Sequence, residues 1–221
     1  IVQTGIPVAR MELLDDVQMG ACISYSKLEG YEEKPTIFFE FHGTETGAKE
    51  QAEAVQAIAE EFGGSAFQWT SKMEDRNKLW QARHDAYYAA IALRSGCQGW
   101  ATDVCVPVSR LAECINETKD DLEKTGLISP LVGHVGDGNF HMLYIVDPNN
   151  QEEMAKAQAH SDRMVMRALE MGGTCTGEHG VGYGKIHFLT NEHGDAMSLM
   201  RSLKTAFDPD NIMNPGKIVN I

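Results

Sequence analysis

The sequence predicts an α+β fold: ferredoxin-like β-α-β-β-α-β halves that share an antiparallel sheet with helices on one face. Three observations carry this expectation. Short β-rich runs alternate with segments of helical periodicity. Between residues 100 and 180 the order is strand, helix, strand, strand, helix, strand. An Asp-Gly pair, Asp137-Gly138, separates two apolar runs as in a tight hairpin.

In chain order, 36–42 (TIFFEFH) reads as a strand. Residues 49–62 read as a helix that places Ala52, Val55, Ile58, Ala59 and Phe62 on one face before Gly63-Gly64 ends it. Residues 65–70 read as a second strand and 74–93 as a second helix, with Leu79, Ala82, Ala86 and Ala89 or Ala90 as its packing stripe. After the break at 96–99 the order recurs more completely: strand 103–108, helix 109–124, strand 131–135 past Pro130, strand 140–146, helix 152–171 and a short extended piece at 174–176. Pseudo-repeated halves at 30–95 and 100–180 are therefore expected within one domain covering 1–221.

A chain of 221 residues can bury a sizeable core. With 43% hydrophobic and 23% charged residues and no long apolar run, it reads as globular, with neither a transmembrane segment nor a signal peptide. A formal charge of -13 without any basic stripe repels phosphate backbones, which excludes nucleic acid as a partner and leaves an acidic surface for a protein. The cysteines (Cys22, Cys97, Cys105, Cys114 and Cys175) are odd in number and form no C-x-x-C pair, against both a disulfide framework and a cysteine zinc site. They read as small buried hydrophobes of a reducing compartment, a bacterial cytoplasm or a mitochondrial matrix. The chain opens at Ile1 without methionine, directly on TGIPVARMELLDD, which reads as the interior of a longer protein.

The segment GHVGDGNFHMLYIV carries the most chemistry. If Gly136 faces Asn139, then Val135 faces Phe140 and His134 faces His141 directly across the ladder, with Cβ atoms ~4.5 to 5.5 Å apart. That separation lets two imidazoles converge on one ion at ~2.0 to 2.1 Å per nitrogen. A histidine pair on a sheet with no ligand fits the same spacing. In TGEHGVGYGK, Glu178 and His179 lie among Gly177, Gly180, Gly182 and Gly184, which implies tight turning and close backbone approach. Adjacent side chains of an extended chain diverge, so Glu178 is expected to complete a His-His-Glu set while His179 faces the reacting molecule. A glycine loop with solvated charges is the plainer alternative. Three protein ligands leave one position open, the pattern of catalytic zinc, and nitrogen and oxygen ligands also accept manganese, iron or cobalt.

At GHVGDGNFH, TGEHGVGYGK and FDPDNIMNPGK, with LWQARHDAYYA and TDVCVPVSRL in order before them, the sequence resembles the C-terminal domain of the FAD-linked oxidases. These include D-lactate dehydrogenase, D-2-hydroxyglutarate dehydrogenase and the glycolate oxidase D subunit; the likeness runs end to end and favours the D-lactate dehydrogenase branch. The resemblance implies that His134, His141 and Glu178 ligate a divalent metal, zinc or manganese, and that His179 is the general base. It also implies that Arg83 holds the substrate carboxylate, that Tyr87 lines the same pocket, and that Asn214 approaches the flavin. On the residues alone, Arg83 reads as a solvated arginine on an amphipathic helix, and Asn214 as a turn residue before Pro215.

The implied activity is that of a flavin-dependent D-2-hydroxy-acid dehydrogenase, oxidising a D-lactate-like 2-hydroxy acid to a 2-oxo acid with hydride transfer to FAD. In the family the FAD is held mainly by a flavin-binding domain ahead of this region. No G-x-G-x-x-G follows a strand here, so the chain is expected to be inactive without that domain. Its implied partners are the substrate, its own FAD-binding domain and an electron-transfer protein. Gln98 stands where many relatives are expected to carry a lysine, which weakens the case for a second substrate carboxylate. Two other classes fit the ligand set: a metal-dependent hydrolase with His179 as proton shuttle, and a non-catalytic interaction module.

Overall fold

A computed structural model describes residues 1–221. In chain order it contains β1 (Val8–Leu14), α1 (Asp16–Ser26), β2 (Thr36–Phe41), α2 (Glu45–Glu61), α3 (Met73–His84), α4 (Ala86–Ala92), β3 (Gln98–Ala101) and β4 (Val104–Cys105). Then follow α5 (Leu111–Glu123), β5 (Leu131–His134), β6 (Asn139–Val146), α6 (Gln151–Glu170), α7 (Leu189–His193) and α8 (Ala196–Phe207). Helices α1, α2 and α6 begin where a polar side chain accepts an otherwise orphaned backbone N–H: Asp15 from Gln18, Thr44 from Gly47 and Asn150 from Glu153.

The class and the antiparallel sheet are those the sequence predicts. The strands run β2-β1-β5-β6-β3, with β4 also on β6. Strands β3 and β4 keep one continuous register against β6, Ala101 facing Leu143 and Val104 facing Phe140, so they are one strand interrupted at Thr102-Asp103. Helices α1, α3 and α4 pack on one face of the sheet, and α5 and α6 on the other. Phe140, Met142, Tyr144 and Val146 join the core formed with α5 and α6. The alternate residues Leu143 and Ile145 meet Ala90 and Ile91 of α4, while Leu14 packs with α1, Trp80, Ala82, Ala86 and Ala89. Strand β6 is therefore buried along its whole length, which is why it reads as an unbroken apolar run rather than an alternating one.

Several elements differ from expectation. Residues 65–70 form no strand, because Gly63 (φ 83°) and Ala66 (φ 55°) turn the backbone into the left-handed region; Phe67 instead packs 6.5 Å from Phe39. The helix expected over 74–93 divides at Asp85 into α3 and α4. The strand expected over 103–108 ends at Cys105, where a 3-10 turn over Val108–Arg110 takes the chain into α5. The last strand of the second half is a single bridge between Thr174 and Cys105.

The hairpin register is shifted by two residues: His134 faces Asn139, and His141 faces Val132. The turn has four residues rather than two, because the Val135 N–H pairs with Met11 O of β1 and its side chain is buried, which takes Val135 out of the β5–β6 ladder. Side chains alternate with a period of two, so this shift leaves both histidines on one face, now diagonal instead of opposed.

Away from that face, Tyr144 and His160 form a fully buried pair, with Tyr144 Oη 2.6 Å from His160 Nδ1 and His160 Nε2 3.1 Å from Thr118 O. The carbonyl requires Nε2–H as donor, so Nδ1 accepts from the tyrosine, and burial pushes the His160 pKa down, consistent with a neutral ring. Tyr144→Phe leaves Nδ1 buried without a donor and is expected to cost about 1–3 kcal/mol in urea unfolding; an unchanged midpoint would contradict the pairing.

Candidate active site

The sheet face that carries His141 is built around a local exchange of hydrogen bonds. Thr102 Oγ1 accepts the Met142 N–H (2.9 Å), taking the ladder place of the Thr102 carbonyl, and donates to Met142 O (3.1 Å). The released carbonyl lies 2.8 Å from His141 Nδ1. A carbonyl can only accept, so Nδ1 carries the proton and Nε2 keeps its lone pair. Burial pushes the His141 pKa down, and the neighbouring His179 adds to the effect. Nε2 is buried in a residue only 5% exposed and makes no hydrogen bond, because its lone pair, not a proton, faces Glu178 Oε1 3.1 Å away.

His134 is oriented by a carboxylate. Glu12 of β1 faces it in the β1–β5 register, with Oε1 2.9 Å from His134 Nδ1, while Glu12 Oε2 accepts from Arg83 Nη2 at 2.8 Å. Burial opposes ionisation of Glu12, but the bonds from His134 and the Arg83 charge together hold its pKa below the usual value. The Glu12 bond in turn raises the His134 pKa against the opposing effect of burial.

Glu178 Oε1 stands 3.1 Å from His141 Nε2 and 3.5 Å from His134 Nε2. The candidate ligand atoms of His134, His141 and Glu178 all lie within 4.8 Å of one another. A tetrahedral ion at ~2.0 to 2.1 Å from each ligand would separate them by ~3.3 Å; the Glu178 contacts at 3.1 and 3.5 Å match that spacing, and the widest pair, within 4.8 Å, would draw together around a divalent cation. The bare buried Nε2 of His141, a donor set of two imidazoles and one carboxylate, and the carboxylate behind His134 agree with that fit.

The other expected site residues are placed as follows. His179 stacks on His141 (ring centroids 4.8 Å apart, 12° between planes), with Nε2 3.5 Å from Glu178 Oε1 and its side chain 45% exposed. Arg83 is tied to His134 through Glu12; its side chain is only 14% exposed and its Nε is buried without a partner. Tyr87 lies across the Asp85 break on α4, donating to Gly99 O at 3.1 Å, with its ring also near Gly99, which packs on Leu143, two residues along β6 from His141. Asn214, left-handed at φ 47°, joins none of these groups through its side chain; the tail around it is tied to the far end of the glycine loop by Ile218 N–H to Gly182 O and Tyr183 Oη to Pro215 O.

Sequence reasoning did not single out Glu12, Thr102 or Asp103. Glu12 lies in a strand interrupted by charge, and the Thr102 and Asp103 side chains act on backbone groups that no spacing rule names. An isolated acid with apolar neighbours, such as Asp103 in TDVCV, is the one sequence signal for such a role.

A family model described as FAD linked oxidases, C-terminal domain, matches residues 1–218. The chain belongs to that family. It is 49% identical over 222 residues to the "Probable D-lactate dehydrogenase, mitochondrial" of Danio rerio, covering 100% of this chain and 44% of that protein. It is 43% identical to the "D-lactate dehydrogenase [cytochrome], mitochondrial" of Arabidopsis thaliana (99% of this chain, 38% of that protein), and 30% identical to the "Glycolate oxidase subunit GlcD" of Bacillus subtilis (99% and 46%). The chain thus spans less than half the length of the curated relatives it matches. In fold it resembles 4-ethylphenol oxidase from Gulosibacter chungangensis in its isoeugenol complex, with a TM-score of 0.69 at 13% identity over 95% of this chain and 47% of that one.

In metal-free protein, His134 is expected to titrate above the ordinary histidine value of ~6.5, and Glu12→Gln to bring it down, read from ring nitrogen shifts by NMR. A His134 titration unmoved by Glu12→Gln would contradict the Glu12–His134 pair.

Proposed function

We propose that this chain is the substrate- and metal-binding C-terminal domain of a flavin-dependent D-2-hydroxy-acid dehydrogenase, oxidising a D-lactate-like acid to its 2-oxo acid. The observation that carries this reading is the convergence of His141 Nε2, bare and buried, with His134 Nε2 and Glu178, linked through Glu12 to the half-satisfied Arg83 guanidinium. The names of the relatives, D-lactate dehydrogenases at 49% and 43% identity, support the acid class. Membership of an FAD-linked oxidase family leaves the hydrolase and interaction-module readings without support.

When bound, a divalent ion (zinc or manganese) would lower the pKa of the substrate hydroxyl, and FAD, held mainly by a flavin-binding domain, would accept two electrons. Arg83 binds the substrate carboxylate through donors left over from its Glu12 contact; the planar guanidinium suits that shape better than a point charge does. His179, the most exposed of the three histidines in the cluster, takes the hydroxyl proton at its imidazole. Its stacking on His141 orients the ring that receives that proton. Tyr87 closes one wall beside Leu143 and Gly99. Asn214 is assigned to the flavin side. The other nearby cation, Lys185, is held by Asp103, which leaves Arg83 to serve one carboxylate and favours a monocarboxylate. The names of the Danio and Arabidopsis relatives support a mitochondrial location if the protein is eukaryotic, and the word "cytochrome" in the second name supports an electron-transfer partner. No helix is long and apolar enough to cross a membrane.

In the full-length flavoprotein, His179→Ala is expected to slow flavin reduction by D-lactate ~10² to 10⁴-fold, the usual contribution of a general base, as measured anaerobically by stopped-flow absorbance. Reduction at the wild-type rate would remove His179 from the role of base.

A further inference from the structure

The carboxylate of Asp103 is buried at the point where the β3–β4 strand is interrupted, in a residue 1% exposed. Its donors come from three directions. Asn139 Nδ2 of β6 reaches Oδ1 at 2.7 Å. From the glycine-rich loop, Oδ2 accepts Thr176 Oγ1 at 2.6 Å, the His179 N–H at 2.9 Å and the Glu178 N–H at 3.1 Å. From the loop's far end, Lys185 Nζ reaches Oδ2 at 3.3 Å and the Asp103 carbonyl at 2.7 Å. Both ends of the loop are therefore fastened to one residue. Thr176 Oγ1 also accepts the Gly180 N–H at 2.8 Å, closing the turn that carries Glu178 and His179. The loop lies directly on this network: a Cβ at Gly177 would stand 1.7 Å from Asn139 Nδ2 and 3.0 Å from Asp103 Oδ1.

We infer that Asp103 is a positioning residue, whose single carboxylate sets where the Glu178 carboxylate and the His179 imidazole stand against His141. A buried acid paired with lysine could serve stability alone. Here, however, the donors belong to the reacting groups' own backbone and flanks: the N–H groups of Glu178 and His179, and Asn139, which faces His134 in the ladder and precedes His141 by two residues. The preceding residue, Thr102, orients His141 itself. An anion in this place accepts from every one of these donors. An amide in the same shape turns an NH₂ group toward at least one N–H, so Asn is not a substitute for Asp at this position.

This inference rests on the metal reading proposed above, and the experiment separates the two. In the full-length protein, Mn²⁺ is titrated by calorimetry into wild type, Asp103→Asn, Thr176→Val and Thr176→Ser, alongside D-lactate kinetics, flavin content and thermal unfolding. Loss of such supporting contacts behind ligands usually costs ~10 to 100-fold in metal affinity or activity. That loss is expected for Asp103→Asn, with kcat falling more than KM rises because Arg83 is untouched. Thr176→Val, which removes one donor and keeps the charge, is expected to lose affinity by a smaller factor, and Thr176→Ser to recover it; this pair decides the matter if Asp103→Asn does not fold. Wild type binding Mn²⁺ with Asp103→Asn or Thr176→Val binding it equally tightly would overturn the inference alone. No Mn²⁺ binding by wild type would overturn the metal reading, and the inference with it.

Discussion

His141 sits on a strand buried along its whole length, where backbone groups pair with neighbouring strands and most side chains lie in a core. It can present a bare nitrogen there because Thr102 substitutes its hydroxyl for its carbonyl in the pairing with Met142, and the released carbonyl accepts a hydrogen bond from Nδ1–H. Much of the site follows from that exchange. The interrupted strand turns Asp103 inward, Asp103 draws the glycine loop over the end of β6, and the loop delivers Glu178 and His179 to the open face of the His141 ring. A polar group so deeply buried without a partner costs free energy, on the order of 1–3 kcal/mol.

The charges around the site have the same logic. Glu12, Asp103 and Glu178 stand against Arg83 and Lys185, so the site carries one formal negative charge. A divalent cation would turn this into one positive charge, which a substrate monocarboxylate would neutralise. Glu12 couples the two halves of that balance, because one carboxylate orients both the candidate ligand His134 and the candidate carboxylate clamp Arg83. Binding of the ion and binding of the acid are therefore expected to depend on each other.

Much of this was legible in the sequence, and the parts that were not have physical reasons. The hairpin was readable because Asp137-Gly138 separates two β-rich runs, and the shared face of His134 and His141 survived a two-residue shift in register because side-chain period is two. The register itself depended on Val135 pairing with Met11 of β1, a contact distant in sequence. Strand β1 was hidden because Arg10 and Glu12 break its apolar pattern, Glu12 being paired with His134 and Arg83. Arg83 and Asn214 stood out only through family motifs. The structure gives Arg83 a partner and a free donor, and leaves Asn214 beyond contact with the cluster. Asp103 falls within the strand expected over 103–108, since a side chain that works on loop backbone leaves no spacing for a pattern to find.

The central claim, that His134 and His141 hold one ion together, is tested most directly by pulsed electron paramagnetic resonance on the Mn²⁺-loaded full-length protein with ¹⁵N-labelled histidine. The account predicts hyperfine coupling from two imidazole nitrogens, reduced to one in His141→Ala. A bound Mn²⁺ with no histidine nitrogen coupled to it would contradict the account.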